Sequence, residues 1–422
     1  MNMFRHVWIS LTERLQRALN AKRTRDERRE RIMNEQAACG TYRIRKIAIE
    51  GFRRLRSLDL SVRPFMVLIG ANGVGKTSFL DALTLLSTSA AGRLSETLSR
   101  FGGVAKLLTR GKCEGIALAV EMEAPGHEPL RYRLQMEPKG AGFSITQETL
   151  SQQKLDHPRP FFYIDAHHGR VEYYNTETKR LDVPDWDYDP GETALSQVPK
   201  MFRQPEALRR LLATATQYHT LDVGPRAPVK LPQPVKPADL PGANGEALLP
   251  FLYSLRESDR PRFEAVTDAL RAAYPDFEEL TFPPAAAGML ALSWKDKKFE
   301  SPIYADELSE GTLRFLWLTA LLQSPELSTV TMIDEPEVSL HPELLDLLAQ
   351  LMREASARTQ LIVTTHSDRF VRFLNPEEVY VMDVGEEGGA TITPADTLDL
   401  DRWLDEYSLD EVWRMGRMGG RA

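Results

Sequence analysis

Along residues 42–50, Ile44, Lys46, Ala48 and Glu50 alternate with Arg45, Ile47 and Ile49, and Gly51-Phe52 breaks the run. Such a period of two predicts a strand. Leu58, Leu60 and Val62 repeat the pattern, and the unbroken apolar run Met66 to Ile69 predicts a short, buried third strand. The spacing then changes, because Phe79, Leu80, Leu83 and Leu86 share one face of a helix. Residues 115–175 read as antiparallel strands and hairpins, with turns at Pro125-Gly126, Lys139-Gly140 and His168-Gly169.

Between about 190 and 290 the pattern turns helical, over Glu206 to Gln217 and Pro261 to Ala273, around a loop stiffened by Pro228, Pro232, Pro234, Pro237 and Pro241. A hairpin is expected near Met289 to Phe299, then a strand at Val330 to Ile333, a helix over 342–357 and a strand at Leu361 to Thr365. Ahead of all this, Trp8, Leu11, Leu15 and Leu19 fall at helical spacing before the charge-dense run Lys22 to Arg31. A solvated polar helix accounts for that segment better than an arm for DNA or a partner. The expected organisation is a polar helical extension at 1–40, a strand-rich N-terminal lobe at 41–185, and a helical, proline-rich insert at 186–290. A C-terminal lobe at 291–395 and a tail at 396–422 complete it.

Composition narrows the classes. No stretch approaches eighteen uninterrupted apolar residues, and the N-terminal segment lacks a secretory apolar core, so a cytoplasmic protein without a membrane span is expected. Cys39 and Cys113 are too few for a disulfide framework or a four-cysteine metal site. The net charge of −7 argues against a wholly basic nucleic-acid binder and leaves room for a local basic patch.

The chemistry-bearing residues lie where the predicted elements meet. Gly70-Ala71-Asn72-Gly73-Val74-Gly75-Lys76-Thr77, followed by Ser78, joins a buried strand to an amphipathic helix. Glycines there let backbone N–H groups curl around phosphate oxygens at a helix N-terminus. Lys76 is expected to reach the β- and γ-phosphates and Thr77 to ligate Mg²⁺. The apolar strand 329–333 ends in Asp334 and Glu335, the first suited to hold Mg²⁺ through water and the second to orient or deprotonate an attacking water. His366 ends the next predicted strand, where a phosphate sensor would sit. Ser309 and Gly311 precede an apolar helix and read equally as an N-cap or as a second phosphate-binding terminus. Asp165, His167 and His168 read as a polar hairpin rather than a metal cluster, and Asp399 and Asp401 as a solvated turn.

Together these segments resemble the ATP-binding-cassette ATPases of the SMC, RecF, Rad50 and OLD class, and more closely the predicted AAA-type ATPases of bacterial genomes. The likeness rests on Gly51-Phe52, the Asn72-Gly73 form of the loop, Leu308 to Thr312, Asp334-Glu335-Pro336-Glu337, Leu340-His341-Pro342, Thr364-Thr365-His366-Ser367, and the tail Trp403 to Gly420. It implies an α/β P-loop core with an antiparallel strand-rich lobe and an inserted helical region, binding and hydrolysing ATP with Mg²⁺. It also implies a homodimer in which Ser309 and Gly311 reach the γ-phosphate on the other subunit, with Ser339 to His341 crossing the interface. Phe101-Gly102-Gly103 occupies the region of the family's glutamine loop, leaving that glutamine unassigned. The signature Ser-Glu-Gly-Thr-Leu-Arg differs from that of transporter subunits. The stretch between Lys76 and Asp334 is too short for long coiled coils, and the residues after His366 too few for a nuclease domain. The expected role is a nucleotide-driven switch that controls a protein effector in a bacterial defence or toxin–antitoxin system. The alternative is a DNA-associated ATPase in repair or recombination.

Overall fold

The computed structural model describes residues 42–111, 113–124, 127–153, 159–175, 177–199, 203–385 and 388–420. The N-terminal helix expected over 1–40, Cys39 and the turn at Pro125-Gly126 lie outside them. Strands in chain order are β1 (Arg43–Phe52), β2 (Leu55–Ser61), β3 (Phe65–Ile69), β4 (Ile116–Ala124), β5 (His127–Lys139), β6 (Gly142–Gln152), β7 (Phe161–His167), β8 (Arg170–Asn175), β9 (Arg180–Asp182) and β10 (Thr216–Tyr218). They continue as β11 (Gln233–Pro234), β12 (Phe277–Thr281), β13 (Met289–Leu290), β14 (Ser293–Asp296), β15 (Ile303–Tyr304), β16 (Val330–Asp334), β17 (Gln360–Thr365), β18 (Val379–Val384) and β19 (Ala390–Pro394).

Two sheets organise the molecule. An antiparallel sheet of eight strands runs β2-β1-β4-β5-β6-β7-β8-β9, and a second sheet of six runs β10-β16-β17-β3-β18-β19. Within the second, only the pairing of β19 to β18 is antiparallel. All five residues of β3 are buried, as expected of a central parallel strand covered on both faces. Its alternate side chains enter two different cores. Phe65, Val67 and Ile69 join the core that holds the helices Glu310–Leu322 and Leu345–Ser356. Met66 and Leu68 join the core shared by the helix Lys76–Ala90 and the eight-stranded sheet.

One glutamine pins the two sheets together. Gln360 on β17 accepts from the Ile44 backbone N–H at 2.7 Å and donates to the Ile44 carbonyl at 2.7 Å. A strap at residues 189–197 makes a second tie. Glu148, fully buried on β6, accepts from the N–H groups of Ala194 (2.6 Å) and Leu195 (2.8 Å) and from the Tyr132 hydroxyl (2.9 Å). On the strap's other side, Thr193 donates to the Ser89 carbonyl at 2.9 Å, near the end of the helix Lys76–Ala90.

Some expected elements move. The helix anticipated over Glu206 to Gln217 runs Arg203–Ala213 instead. The Thr214 hydroxyl turns back onto the Arg210 carbonyl at 2.9 Å, and the β-branched neighbours Thr214 and Thr216 favour extended backbone. Residues 216–218 therefore become β10, hydrogen-bonded in parallel to β16. The hairpin near Met289 to Phe299 is likewise redistributed: β13 pairs with β11, while β14 lies between β12 and β15. The helix expected over 342–357 opens with a 3₁₀ turn, Pro342–Leu344, and continues as Leu345–Ser356. No helix among the described residues is long and apolar enough to cross a membrane.

Two stability effects follow. Gln360→Ala would strand a buried N–H and a buried carbonyl on β1, so urea denaturation should show a loss of about 2–4 kcal/mol. Burial pushes Glu148 up from 4.5 to about 7 against the pull of its hydrogen bonds. The unfolded chain therefore releases this proton at lower pH than the native one, and stability falls as pH rises from the lower value to the higher. That loss should be about 3 kcal/mol. Glu148→Gln should flatten this slope in pH-dependent denaturation, at lower absolute stability because its amide nitrogen cannot accept a backbone N–H.

Candidate functional site

The site begins where β3 runs out. A Cβ on Gly70 (φ +151°) would lie 2.4 Å from the Met382 carbonyl of β18, so the chain can leave the sheet here only as glycine. Gly73 and Gly75 also take positive φ, at +76° and +127°. The helix Lys76–Ala90 starts without a side-chain cap and without an acid in its first turn. Its first N–H groups are thus left for an anion, as a phosphate-cradling terminus requires. Asn72, Gly73 and Thr77 are exposed, Ser78 half-buried, and Lys76 only 7% exposed.

Sheet register sets the acids against this loop. Ile69 pairs with Thr365, Leu68 with Thr364, and Thr364 with Asp334, so three neighbouring parallel strands end side by side. Adjacent strands sit about 4.8 Å apart, which places the start of the loop roughly 10 Å from the acidic pair. The Lys76 amine donates to the carbonyls of Gly70 (2.6 Å) and Ala71 (3.1 Å). Burial lowers its pKa below the usual lysine value, while the charges of Glu335, Asp334 and Glu337 pull it back up. Asp334 is pushed up by burial, but the His219 imidazole 3.9 Å away, the Thr364 hydroxyl and the Lys76 charge together hold it below the ordinary range.

Glu335 takes φ +51°, a strained conformation for a non-glycine residue. It is fixed by its own N–H donating to the Thr364 carbonyl at 2.9 Å and by its carbonyl accepting from Val338 N–H at 3.3 Å. Its carboxylate lies 2.9 Å from His366 Nδ1. Gly70 to Ser78, Asp334, Glu335 and His366 are therefore gathered at the C-terminal edge of one sheet, where open α/β sheets bind ligands. The donor set fits the implied ligands. The uncapped helix start and a buried amine suit a polyphosphate, and the Thr77 hydroxyl with the ionised Asp334 offers the hard oxygen atoms Mg²⁺ prefers.

Ser309 and Gly311 are placed elsewhere. The helix Glu310–Leu322, capped by Ser309 accepting from Thr312 N–H at 3.1 Å, packs on the face of the sheet opposite the helix Lys76–Ala90. A Cβ on Gly311 would fall 2.6 Å from the Ser339 carbonyl, and Arg314 donates to the Ser339 hydroxyl and to the Val338 carbonyl (3.3 Å). The loop at 339–341 and the start of this helix are thus packed and hydrogen-bonded together. His341 is exposed.

Sequence reasoning missed His219, which follows β10 and is held above the ordinary histidine range chiefly by Asp334. Its position became readable only once β10 was seen to flank β16. Arg54, at the turn between β1 and β2, lies beside Gly75, 3.7 Å from the position of a Cβ there. Among the described residues no group of three or more His, Cys, Asp or Glu is arranged to hold a metal. Asp165 and His167 form an ion pair at 2.9 Å, and Asp399 is exposed.

This fold and the edge it builds define a P-loop protein of the SMC/RecF type of ABC ATPase. The chain belongs to the family described as "AAA domain, putative AbiEii toxin, Type IV TA system", which matches residues 65–372. It is 33% identical over 96 residues to the DNA replication and repair protein RecF of Arthrobacter sp. (strain FB24), a match spanning 22% of this chain and 24% of that protein. Among solved structures it is similar to an SMC head bound to the C-terminal winged-helix domain of ScpA, with a TM-score of 0.51 and 15% identity over 86% of this chain and 99% of that one. It is also similar to an SMC head with an extended coiled coil bound to the C-terminal domain of ScpA, from Pyrococcus furiosus. There the TM-score is 0.50 and the identity 14%, over 86% of this chain and 98% of that one. At these identities the structural likeness speaks for the fold.

The close approach at Gly311 can be tested directly. Gly311→Ala must displace the Ser339 backbone, and thermal or urea denaturation should register a loss of about 1–3 kcal/mol.

Proposed function

We propose that the chain binds and hydrolyses ATP and works as a nucleotide-driven dimerising switch for a protein effector. The observation that carries the reading is the shared edge: a buried lysine on an uncapped helix start faces Asp334 and Glu335 across neighbouring parallel strands. In this reading Gly70, Asn72, Gly73, Gly75, Thr77 and Ser78 cradle the phosphates. Lys76 leaves the Gly70 and Ala71 carbonyls to meet them. Thr77 and, through water, Asp334 would hold Mg²⁺, which when bound supplies positive charge to the β- and γ-phosphate oxygens. Glu335 takes the proton of the attacking water, and His366, on Glu335 through Nδ1, fixes the direction of that carboxylate.

The two faces of the sheet support the dimer in this reading. Ser309 and Gly311 open a helix on the face away from their own phosphate loop, so a second copy is the natural recipient of that helix terminus. Such a pair shares one isologous interface, with Ser339 to His341 inside it. Hydrolysis then separates the pair and passes the change to a partner. The description of the family as a toxin–antitoxin component and the net charge of −7 favour a protein as that partner.

A second reading, a DNA-associated ATPase, has one observation in its favour beyond the likeness to RecF. A cleft of about 470 Å³ beside the phosphate loop is lined by Arg53, Arg54, Arg56, Lys106 and Arg110. ATPase rates with and without duplex DNA across a salt series separate the two, since phosphate-backbone contacts weaken steeply with salt.

Lys76→Ala should abolish binding of a fluorescent ATP analogue. Glu335→Gln should keep binding, lower phosphate release about 10²-fold or more, and accumulate an ATP-dependent dimer visible by light scattering. Wild-type turnover in the Glu335 variant would remove it as the base.

A further inference from the structure

We infer that Glu337, given no role above beyond its charge near Lys76, is the positioning residue that aims His366 at Glu335 by gripping the turn between Thr365 and Ser367. This rests on the ATPase reading above and names how its water-activating pair is held.

Glu337 is 9% exposed. One carboxylate oxygen, Oε1, accepts from the Thr365 hydroxyl. The other, Oε2, is buried and has no hydrogen-bond partner among the described residues. An acid in such a place is costly, because a buried polar atom without a partner loses its hydration for nothing. Burial accordingly pushes the Glu337 carboxyl up, against the hydrogen bonds from Thr365 and from its own backbone N–H and the nearby His366. A leucine or methionine would fill the same space at lower cost, so the bond that joins Glu337 to Thr365 is the reason to look for its use.

That bond leads straight to the site. Thr365 Oγ1 donates to Glu337 and in turn accepts from the Ser367 backbone N–H at 2.9 Å. The residues on both sides of His366 are thereby tied to the buried acid. Above them, His366 Nδ1 meets Glu335 Oε1 at 2.9 Å, with side chains 47% and 36% exposed. A pair so open to water gains only about 0–1 kcal/mol and cannot hold its own geometry. Orientation has to come from below, and the Glu337–Thr365–Ser367 chain is the connection that supplies it. The same short segment carries Glu335 at positive φ, so one buried side chain links the strained loop after β16 to the turn after β17.

The test uses the full chain with Glu337→Ala, Glu337→Gln, Thr365→Val and the Glu337→Ala/Thr365→Val double variant. Three quantities are read: kcat and KM for ATP, equilibrium binding of a fluorescent ATP analogue, and the ¹⁵N shift of His366 Nδ1 in histidine-labelled protein, assigned with His366→Gln. Glu337→Ala and Thr365→Val should each lower kcat at least tenfold, leave KM and nucleotide affinity within threefold, and move the His366 shift towards that of a free imidazole. The double variant should lose no more than the worse single one. Glu337→Gln keeps an acceptor for Thr365 and should return kcat and the shift to within threefold of wild type and near its value, respectively. An unmoved His366 shift in Thr365→Val, or a loss expressed in KM and affinity with kcat intact, overturns the inference. If Glu337→Ala does not fold, Thr365→Val decides the matter alone. If the wild type hydrolyses no ATP the parent reading fails, yet the His366 shift still reports whether Glu337 holds the turn.

Discussion

A lysine amine held out of water between its own loop carbonyls and three carboxylates is the interaction around which the rest is arranged. Burial works against its charge, the acids work for it, and the acids alone would repel one another. Each is tolerable because the other is there. That balance demands that the loop after β3 and the loop after β16 stay in register, which is why β3 and β16 flank a common neighbour, β17, with every residue of β17 buried. The two clamps described above, Gln360 on Ile44 and the strap on Glu148, secure the large sheet to this arrangement from two directions.

Much of this was legible in the sequence because the informative segments are local. The loop Gly70 to Thr77, the apolar strand before Asp334, and the strand before His366 each declare both chemistry and flanking elements within about ten residues. Their assembly was legible too, since parallel strands that end in functional loops share one sheet edge. What escaped was what depends on distant pairing. Thr216 and Gln217 read as the end of a helix and become part of a strand only because β16 offers an open edge, and His219 arrives at Asp334 as a consequence. The short pairings of β11 with β13 and of β14 with its two neighbours are likewise set by tertiary contact, and a period of two over so few residues cannot announce them. Glu337 was visible as a letter in a motif, but its burial was not.

The sheet also acts as a partition. Side chains alternate along β3 into two separate cores, so the phosphate-loop helix and the helix behind Ser309 are supported by different packing although only one strand layer lies between them. A shift on one face can reach the other chiefly through the strand ends, where Glu335, Pro336 and Val338 line a small crevice with Arg314 and His219. Arg314 is bonded to the very loop that leaves Glu335, and so stands at the crossing between the two sides.

The end of the described chain closes on its beginning. Trp413 is buried and donates its indole N–H to the Gly420 carbonyl at 2.7 Å, while Gly420 N–H reaches Asp383 at 2.9 Å, and the glycine lies against Gly70. The first bend of the phosphate loop therefore leans on residues far along the chain from it. A ribosome-bound chain still lacking them has its loop sequence complete but not the wall behind it, so nucleotide can be expected to find a finished pocket only once the segment up to Gly420 has emerged.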